Sequence, residues 1–381
     1  MEQGAKDLIR RSYEPIGRYL EKNKVLVIYG PRRVGKTTLL KQFLAQTDFE
    51  FKFDSGDDIR VQQVLGSSDF GLIKEYCRGY NLIVLDEAQN IPQVGKGLKI
   101  IVDQVPGIQV IATGSSSFDL SNKIGEPLVG RQRILRLFPI SLTELADGHN
   151  DIELNQRLEE FLIYGFYPEV ITAKGNKQKA EFLLELVNSY LLKDILALEN
   201  IKSPRVLVDL LRMLAFQTGN EVSMNELSNG LGVDVKTVGR YLDLLEKSFI
   251  IISLGGYSRN LRNEITSKKK YYFLDTGIRN AVINAFNPPD TRNDIGALWE
   301  NMMITERLKK KTYQQIHTHD YFWRTYSQKE IDLIEERDGR LFAFEFKWRD
   351  RAYTPPPEWT SGYPGVEVEL ITRSNYLPFV K

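Results

Sequence analysis

The segment GPRRVGKTT, residues 30–38, carries the residue types that hold a polyphosphate, at the spacing that chemistry requires. Glycines at positions 30 and 35 let consecutive backbone N–H groups curl around phosphate oxygens, and the helix that follows offers the positive end of its dipole. The spacing is G-x-x-x-x-G-K-T, so Lys36 would reach the β- and γ-phosphates and the Thr37 hydroxyl would hold Mg²⁺. Gly30, Pro31, Arg32, Arg33, Val34, Gly35, Lys36, Thr37 and Thr38 are therefore the expected contacts of a nucleoside triphosphate. The apolar run VLVIY before the loop and LLKQFLAQ after it supply the strand and helix that such a loop joins.

Phosphoryl transfer also needs a metal carboxylate and a group that orients water. Both are present in LIVLDE, residues 82–87: Asp86 at the strand tip can bind Mg²⁺ through water, and Glu87 can polarise the attacking water. A third apolar run, IQVIATGSSS, ends in small hydroxyl residues. Ligands of parallel α/β sheets sit at the carboxyl ends of strands, so Thr113, or alternatively Ser115, could touch the γ-phosphate or the lytic water. A plain strand-to-turn transition would carry the same residues. Arg131 and Arg133, in VGRQRILRLFPIS, are candidates for a guanidinium placed against the γ-phosphate of a neighbouring subunit, although a solvated basic strand fits them equally well.

A second constellation lies near the other end of the chain. EIDLIEERDGRLFAFEFKW, residues 330–348, predicts a β-hairpin turning at Asp338-Gly339. That turn sets Arg337 against Arg340, Leu333 against Phe344, and Asp332 against Glu345. Ile331, Leu333, Phe342, Phe344, Phe346 and Trp348 then share an apolar face, while Glu330, Asp332, Glu345 and Lys347 share the other, with Glu330 opposite Lys347. Facing like charges destabilise a strand pair. They become favourable around a divalent cation, and Lys347 could then orient water or stabilise a phosphorane-like transition state. Charged exposed hairpin faces are also common, so the pattern alone fits either account. His317 and His319, in HTH, share a strand face without a further ligand type nearby.

The elements that must position these groups follow from periodicity. Residues 151–220 show helical apolar spacing, as in FLLELVNSYLLKDILALEN, and suit a lid packed on a nucleotide-binding core. EVSMNELSNGLGVDVKTVGRYLDLLEKSFII, from Glu221, reads as helix-turn-helix, with Gly232 at the turn and Asp234 as a cap. Val238, Tyr241, Leu242 and Leu245 would be core, and Lys236, Thr237 and Arg240 would face outward as a recognition helix does toward DNA. Strands beyond it would form a wing. Residues 259–279 hold six basic and two acidic side chains, so Arg259, Arg262, Lys268, Lys269 and Lys270 join the expected DNA contacts. Winged helices also bind proteins, which leaves a second use for this region.

Composition sets the outer bounds. At 381 residues the chain is expected to hold roughly two to four domains. Its formal net charge of +1 says nothing about partners, and the single Cys77 excludes an intramolecular disulfide and a four-cysteine zinc site. MEQGAKDLIRR lacks the apolar run of a secretory signal and no uncharged apolar stretch approaches a membrane span, so a cytoplasmic chain without membrane partners is expected.

Taken together, GPRRVGKT, LIVLDEAQ, ATGSSS and VGR-x-R-x-x-x-L-x-PIS resemble the AAA-type ATPases of a widespread bacterial and archaeal family. The resemblance runs in the same order over nearly the whole chain. It implies an α/β P-loop NTPase core with a central, mostly parallel sheet (1–150), a helical lid (151–220), a winged helix (221–290) and a small α/β C-terminal domain resembling restriction-endonuclease-like folds (291–381). It implies ATP with Mg²⁺ as cofactors, self-association, and an ATP-sensing arginine in the lid, for which Arg157, Arg205 and Arg212 are equal candidates. It also implies that Asp332 and Glu345-x-Lys347 match the PD-(D/E)xK nuclease pattern, with Glu300 as the acid of the upstream helix and Gly296 permitting that helix to pack closely. The segment RDRAYTPPPEWTSGYPG after Lys347 is poor in helix signal where that nuclease fold packs a helix. The expected function is an ATP-hydrolysing, DNA-associated machine. A metal-dependent DNA nuclease regulated by ATP, and a regulatory ATPase switch with protein partners, are the alternatives.

Overall fold

Strands buried on both faces need continuous apolar runs, and the first sheet is built from them. The computed structural model describes residues 9–115, 127–191, 203–258, 268–325 and 327–381. β1 (Val25–Tyr29) and β3 (Leu82–Asp86) are buried throughout, β4 (Gln109–Gly114) nearly so, and β2 (Phe51–Ser55) and β5 (Gln132–Arg136) form the edges. The order is β2-β3-β4-β1-β5 and every pairing is parallel. Helix α1 (Lys36–Leu44) follows β1, and α2 (Ile59–Gly66), α3 (Phe70–Tyr76) and α4 (Val94–Gln104) lie between later strands. Leu98, Ile101 and Val102 of α4 pack with Val25, Val27, Ile83 and Val110 of the sheet. Parallel strands in register end together: Tyr29 lies beside Gly114 and Arg136, and Ser55 beside Asp86. The loops that follow β1, β3 and β4 thus gather at one edge of the sheet. These elements make one unit, Arg10–Pro139 with Lys247–Phe249.

The other unit comprises Ile9, Ile140–Glu246 and Ile250–Lys381. Its first part is helical, with α5 (Asp151–Gln156), α6 (Leu158–Tyr164), α7 (Pro168–Thr172), α8 (Asn176–Glu185) and α9 (Pro204–Phe216). After Gly165, the Phe166 N–H donates to buried Asp275 at 2.7 Å. Only glycine fits at position 165, because φ is +73° and a Cβ would stand 2.0 Å from the Asp275 Oδ1. α10 (Met224–Leu231) and α11 (Val235–Lys247) meet at Gly232, whose φ of +64° ends α10. Asp234 accepts from the Thr237 N–H at 2.9 Å and from its hydroxyl at 2.7 Å, and Val238, Tyr241, Leu242 and Leu245 are buried.

The sequence division at 290 is bridged by the backbone. β7 (Ile251–Gly256) pairs antiparallel with β8 (Lys269–Phe273) on one side and parallel with β9 (His319–Arg324) on the other. A seven-stranded sheet results, in the order β12-β11-β10-β9-β7-β8-β6, where β6 is Glu221–Val222, β10 Glu330–Arg337, β11 Arg340–Phe346 and β12 Val368–Ile371. Pairing both edges of β7 satisfies backbone groups that two separate domains would have left exposed. Helix α12 (Thr276–Val282) follows β8, and helix α13 (Ile295–Tyr313) covers one face, packing Leu298, Trp299, Met302 and Met303 against Tyr272, Leu333, Phe344 and Phe346. The short helix α14 (Pro357–Gly362) brings Trp359 to a second cluster with Trp323, Ile331, Ile334 and Ala343. This is the helix that RDRAYTPPPEWTSGYPG barely announces.

The hairpin turns where expected, with φ of +50° at Asp338 and +70° at Gly339, and pairs Arg337 with Arg340 and Leu333 with Phe344. Ile331 departs from the expected face. The β10–β9 register shifts between Ile331 and Ile334, a bulge that turns Ile331 to the side of Ile334 and Ala343. Gly296 departs too: nothing lies within 4 Å of the place its Cβ would occupy, so close packing is not its role.

Candidate functional site

Gly30 opens the phosphate loop under a steric constraint, since a Cβ there would stand 2.0 Å from the Leu137 carbonyl oxygen. Gly35 takes φ of +97° and no side chain caps α1 behind it, so the first-turn N–H groups remain directed into the loop. The Lys36 ammonium, 5% exposed, donates to the carbonyls of Gly30 at 2.9 Å and Pro31 at 2.8 Å. Thr37 donates to Asp86 Oδ2 at 2.6 Å, and Thr113 donates to Asp86 Oδ1. The Thr113 hydroxyl also accepts from the Glu87 N–H at 3.2 Å. The carboxylate of half-buried Glu87 accepts from Gln89 Nε2, which also donates to Ser115 at 3.2 Å.

One expectation is corrected here. Thr113 is wholly buried and orients Asp86 and Glu87 rather than facing a ligand. Arg131 directly precedes β5 and Arg133 lies level with Leu26, toward the amino end of the sheet, whereas the loop follows Tyr29 at the other end. Arg131 pairs with Asp103 at 2.6 Å, and Arg133 meets Glu21 at 3.5 Å and the Tyr19 ring at 4.9 Å. Neither reaches the phosphate loop of its own chain, since about 3.3 Å per residue separates them from it. The exposed arginine level with Tyr29, beside the loop, is Arg136.

Sequence reasoning also missed Arg11. Its guanidinium, 5% exposed, donates to the Val34 carbonyl at 2.5 Å and the Phe138 carbonyl at 2.7 Å, tying the loop to the chain beyond β5. No motif surrounds it; a partner 127 residues away leaves no local signal.

In the other unit, the hairpin acids meet Glu300. One carboxylate oxygen from each of Glu300, Glu330 and Asp332 lies within 4.8 Å of the others, a spacing that one cation could bridge. Asp332 and Glu345 are each 5% exposed. Burial first, then the charges of Glu300 and Glu345, pushes the Asp332 carboxyl well above the usual carboxylate range. Burial raises Glu345 as well, against the ion pair with Lys347. Asp332 accepts from the Phe346 N–H at 2.8 Å, and Tyr353 donates to Glu345 at 3.4 Å. Glu330 differs from the expected pairing: its partners are Lys270, and Arg324 at 3.5 Å, while Lys347 pairs with Glu345.

Lys270 overturns an expectation outright. It is 0% exposed, with its ammonium 3.1 Å from Glu300 and in contact with Glu330, so it is not a surface contact for DNA. Strand alternation explains it, since Lys269 points out and Lys270 in. Lys236, Lys268, Lys269 and Arg240 are exposed, whereas Thr237 serves the Asp234 cap. Arg259 and Arg262 lie outside the described residues. Of the lid arginines, Arg157 is engaged with Glu160 at 2.8 Å, and Arg205 and Arg212 flank Asp209 at 3.7 and 3.6 Å. His317 and His319 are exposed.

A parallel sheet in the order 2-3-4-1-5, a glycine-framed loop closing on Lys36 and Thr37, and an acid pair at the tip of β3 make a P-loop NTPase fold. Residues 22–146 match the family described as AAA domain, while residues 155–289 and 295–355 match two domains of unknown function, DUF8612 and DUF4143. An uncharacterized protein of Mycobacterium tuberculosis is 27% identical over 342 residues, covering 89% of this chain and 73% of its own length. Another, from Haemophilus influenzae, is 26% identical, covering 84% of this chain and 82% of its own length. Among solved structures, a signal-transduction ATPase of the STAND type with a tetratricopeptide repeat sensor, from Pyrococcus horikoshii, aligns with a TM-score of 0.28 at 14% identity, over 82% of this chain and 48% of its own. Among the described residues, no helix is long and apolar enough to cross a membrane.

Proposed function

We propose that the chain binds and hydrolyses ATP at residues 30–38. The observation that carries this is the Asp86 carboxylate held between Thr37 at 2.6 Å and Thr113, at the foot of the loop. The donor set, a hydroxyl and a carboxylate, suits Mg²⁺; bound at Thr37 and Asp86, it would neutralise charge on the phosphates. Lys36 stabilises charge on the γ-phosphate oxygens. Glu87, oriented by Gln89, accepts a hydrogen bond from the attacking water. The new bond joins water oxygen to the γ-phosphorus, and the bond to the ADP oxygen breaks. Lys36→Ala lowers turnover by about 10²–10³-fold, and Glu87→Gln lowers it while nucleotide binding persists. Calorimetry and phosphate release check both; wild-type protein that gives no heat with ATP and Mg²⁺ ends this reading.

A second reading concerns the other unit: Asp332 and Glu345 bind a divalent cation beside Lys347 and Glu300 and act on a phosphodiester, as the nuclease pattern suggests. The raised carboxyl of buried Asp332 favours it, because a cation would relieve the burial of that charge. The reading includes association with DNA through Lys236, Arg240, Lys268 and Lys269, and self-association with Arg131 or Arg133 serving a neighbour. Replacing Lys268 and Lys269 with Glu weakens duplex binding in a low-salt gel shift and reduces its salt slope by roughly 1 per lost phosphate contact. Unchanged binding removes that surface from the reading.

A further inference from the structure

The carboxylate cluster is assembled from two stretches of chain that the family matches treat separately. Its acids come from residues 300–345, but part of its wall comes from residues 219–272. Strand alternation in β8 sends Lys270 and Tyr272 toward α13, where both reach Glu300, the ammonium at 3.1 Å and the phenol at 2.6 Å. Gly219 lies against the same carboxylate: a Cβ there would stand 3.2 Å from Glu300 Oε2, at a φ of +78°. A buried ammonium is costly unless paired and hydrogen-bonded, and Lys270 meets that condition through Glu300 and Glu330 together.

The charges divide unevenly. Glu300 and Glu330 are both faced by Lys270, while Arg324 is shared between Glu330 at 3.5 Å and Glu221 at 3.4 Å. Lys347 pairs with Glu345, and the charges of Lys270 and then Lys347 act on Asp332. We propose that Lys270 is a built-in monovalent cation that neutralises the Glu300–Glu330 half of the cluster and keeps divalent cations out of it. The Asp332–Glu345 half is left as the place for one. An ammonium supplies charge and hydrogen bonds but cannot polarise a water as a divalent cation does, so Lys270 makes its half of the cluster structural. This rests on the cation reading of the C-terminal acids given above.

The test counts Mn²⁺ bound to the full chain, without nucleotide, from the electron paramagnetic resonance signal of free Mn²⁺. Lys270→Met is expected to bind about one more Mn²⁺ per chain than wild type, because the vacated carboxylates suit a divalent ion. Glu330→Gln is expected to keep the wild-type count, and Asp332→Asn to lose one ion. Equal counts for Lys270→Met and wild type overturn the proposal, as does loss of the ion in Glu330→Gln. The underlying cation reading is judged separately: Asp332→Asn matching wild type overturns that reading instead. Circular dichroism reports whether each variant folds. If Lys270→Met does not, the Glu330→Gln count decides.

Discussion

The two charged sites of this molecule are built on opposite plans. At the phosphate loop, backbone groups and glycines do most of the work, and the side chains come from the ends of adjacent parallel strands. At the carboxylate cluster, side chains converge from β8, β10, β11 and α13, and a bulge in β10 adjusts which of them meet. The loop of the first site is determined by a short stretch of chain. The second exists only once a seven-stranded sheet has brought its parts together. Consequently, the first should fail at a single loop position, and the second should depend on the integrity of its whole unit.

The largest effect expected from this contrast is the loss of turnover in Lys36→Ala, with the unit containing the carboxylates still folded. Next comes the sheet that carries the cluster. Arg307 clasps Glu335 through two bonds of 2.8 and 2.9 Å, both side chains being nearly or wholly buried. Arg307→Ala is expected to cost about 3–5 kcal/mol by leaving a buried carboxylate without its main partner. Thermal or urea unfolding followed by tryptophan fluorescence would measure it, and a change below 1 kcal/mol, on the order of an exposed pair, would contradict it. Acid gives an independent check on the same pair. Burial alone would raise Glu335, but the Arg307 hydrogen bonds and the Lys311 charge hold it at about 2. A carboxyl depressed in the folded state stabilises above its unfolded value, near 4.5, and that contribution disappears as pH falls toward 2. Wild type should therefore lose stability across that window more steeply than the Arg307 variant.

The smallest expected effect would sharpen the comparison at the loop itself. Arg11→Lys cannot fork between the Val34 and Phe138 carbonyls, so one buried acceptor loses its donor, at about 1–3 kcal/mol. ATP affinity should fall by roughly tenfold with the fold retained, if about 1.4 kcal/mol of that cost appears in binding. Affinity equal to wild type would mean that the loop holds its shape without help from outside the motif.

Legibility followed the same contrast. Lys36, Thr37, Asp86 and Glu87 could be placed from sequence because a loop between strand and helix imposes fixed spacing. The hairpin register was legible for a similar reason, since a two-residue turn leaves one pairing possible. Glu300 was reached through resemblance, and it does stand beside Asp332 and Glu330. Thr113 was placed on the right strand end but given the wrong task, because whether a hydroxyl faces a ligand or a neighbouring carboxylate depends on the strand alongside. Lys270 was misread because a run of three lysines looks like one surface, whereas a strand sends alternate residues to opposite faces.

By itself, then, the sequence determined the loop, the acid pair after β3, the parallel core and the DG hairpin, all of them consequences of short-range backbone geometry. Tertiary structure alone decided that the middle and C-terminal regions share one sheet, that Arg11 braces the loop, and that Lys270 lies buried among acids. Each of these depends on which distant surfaces meet once apolar faces are buried, and no local pattern encodes the identity of the partner across the contact.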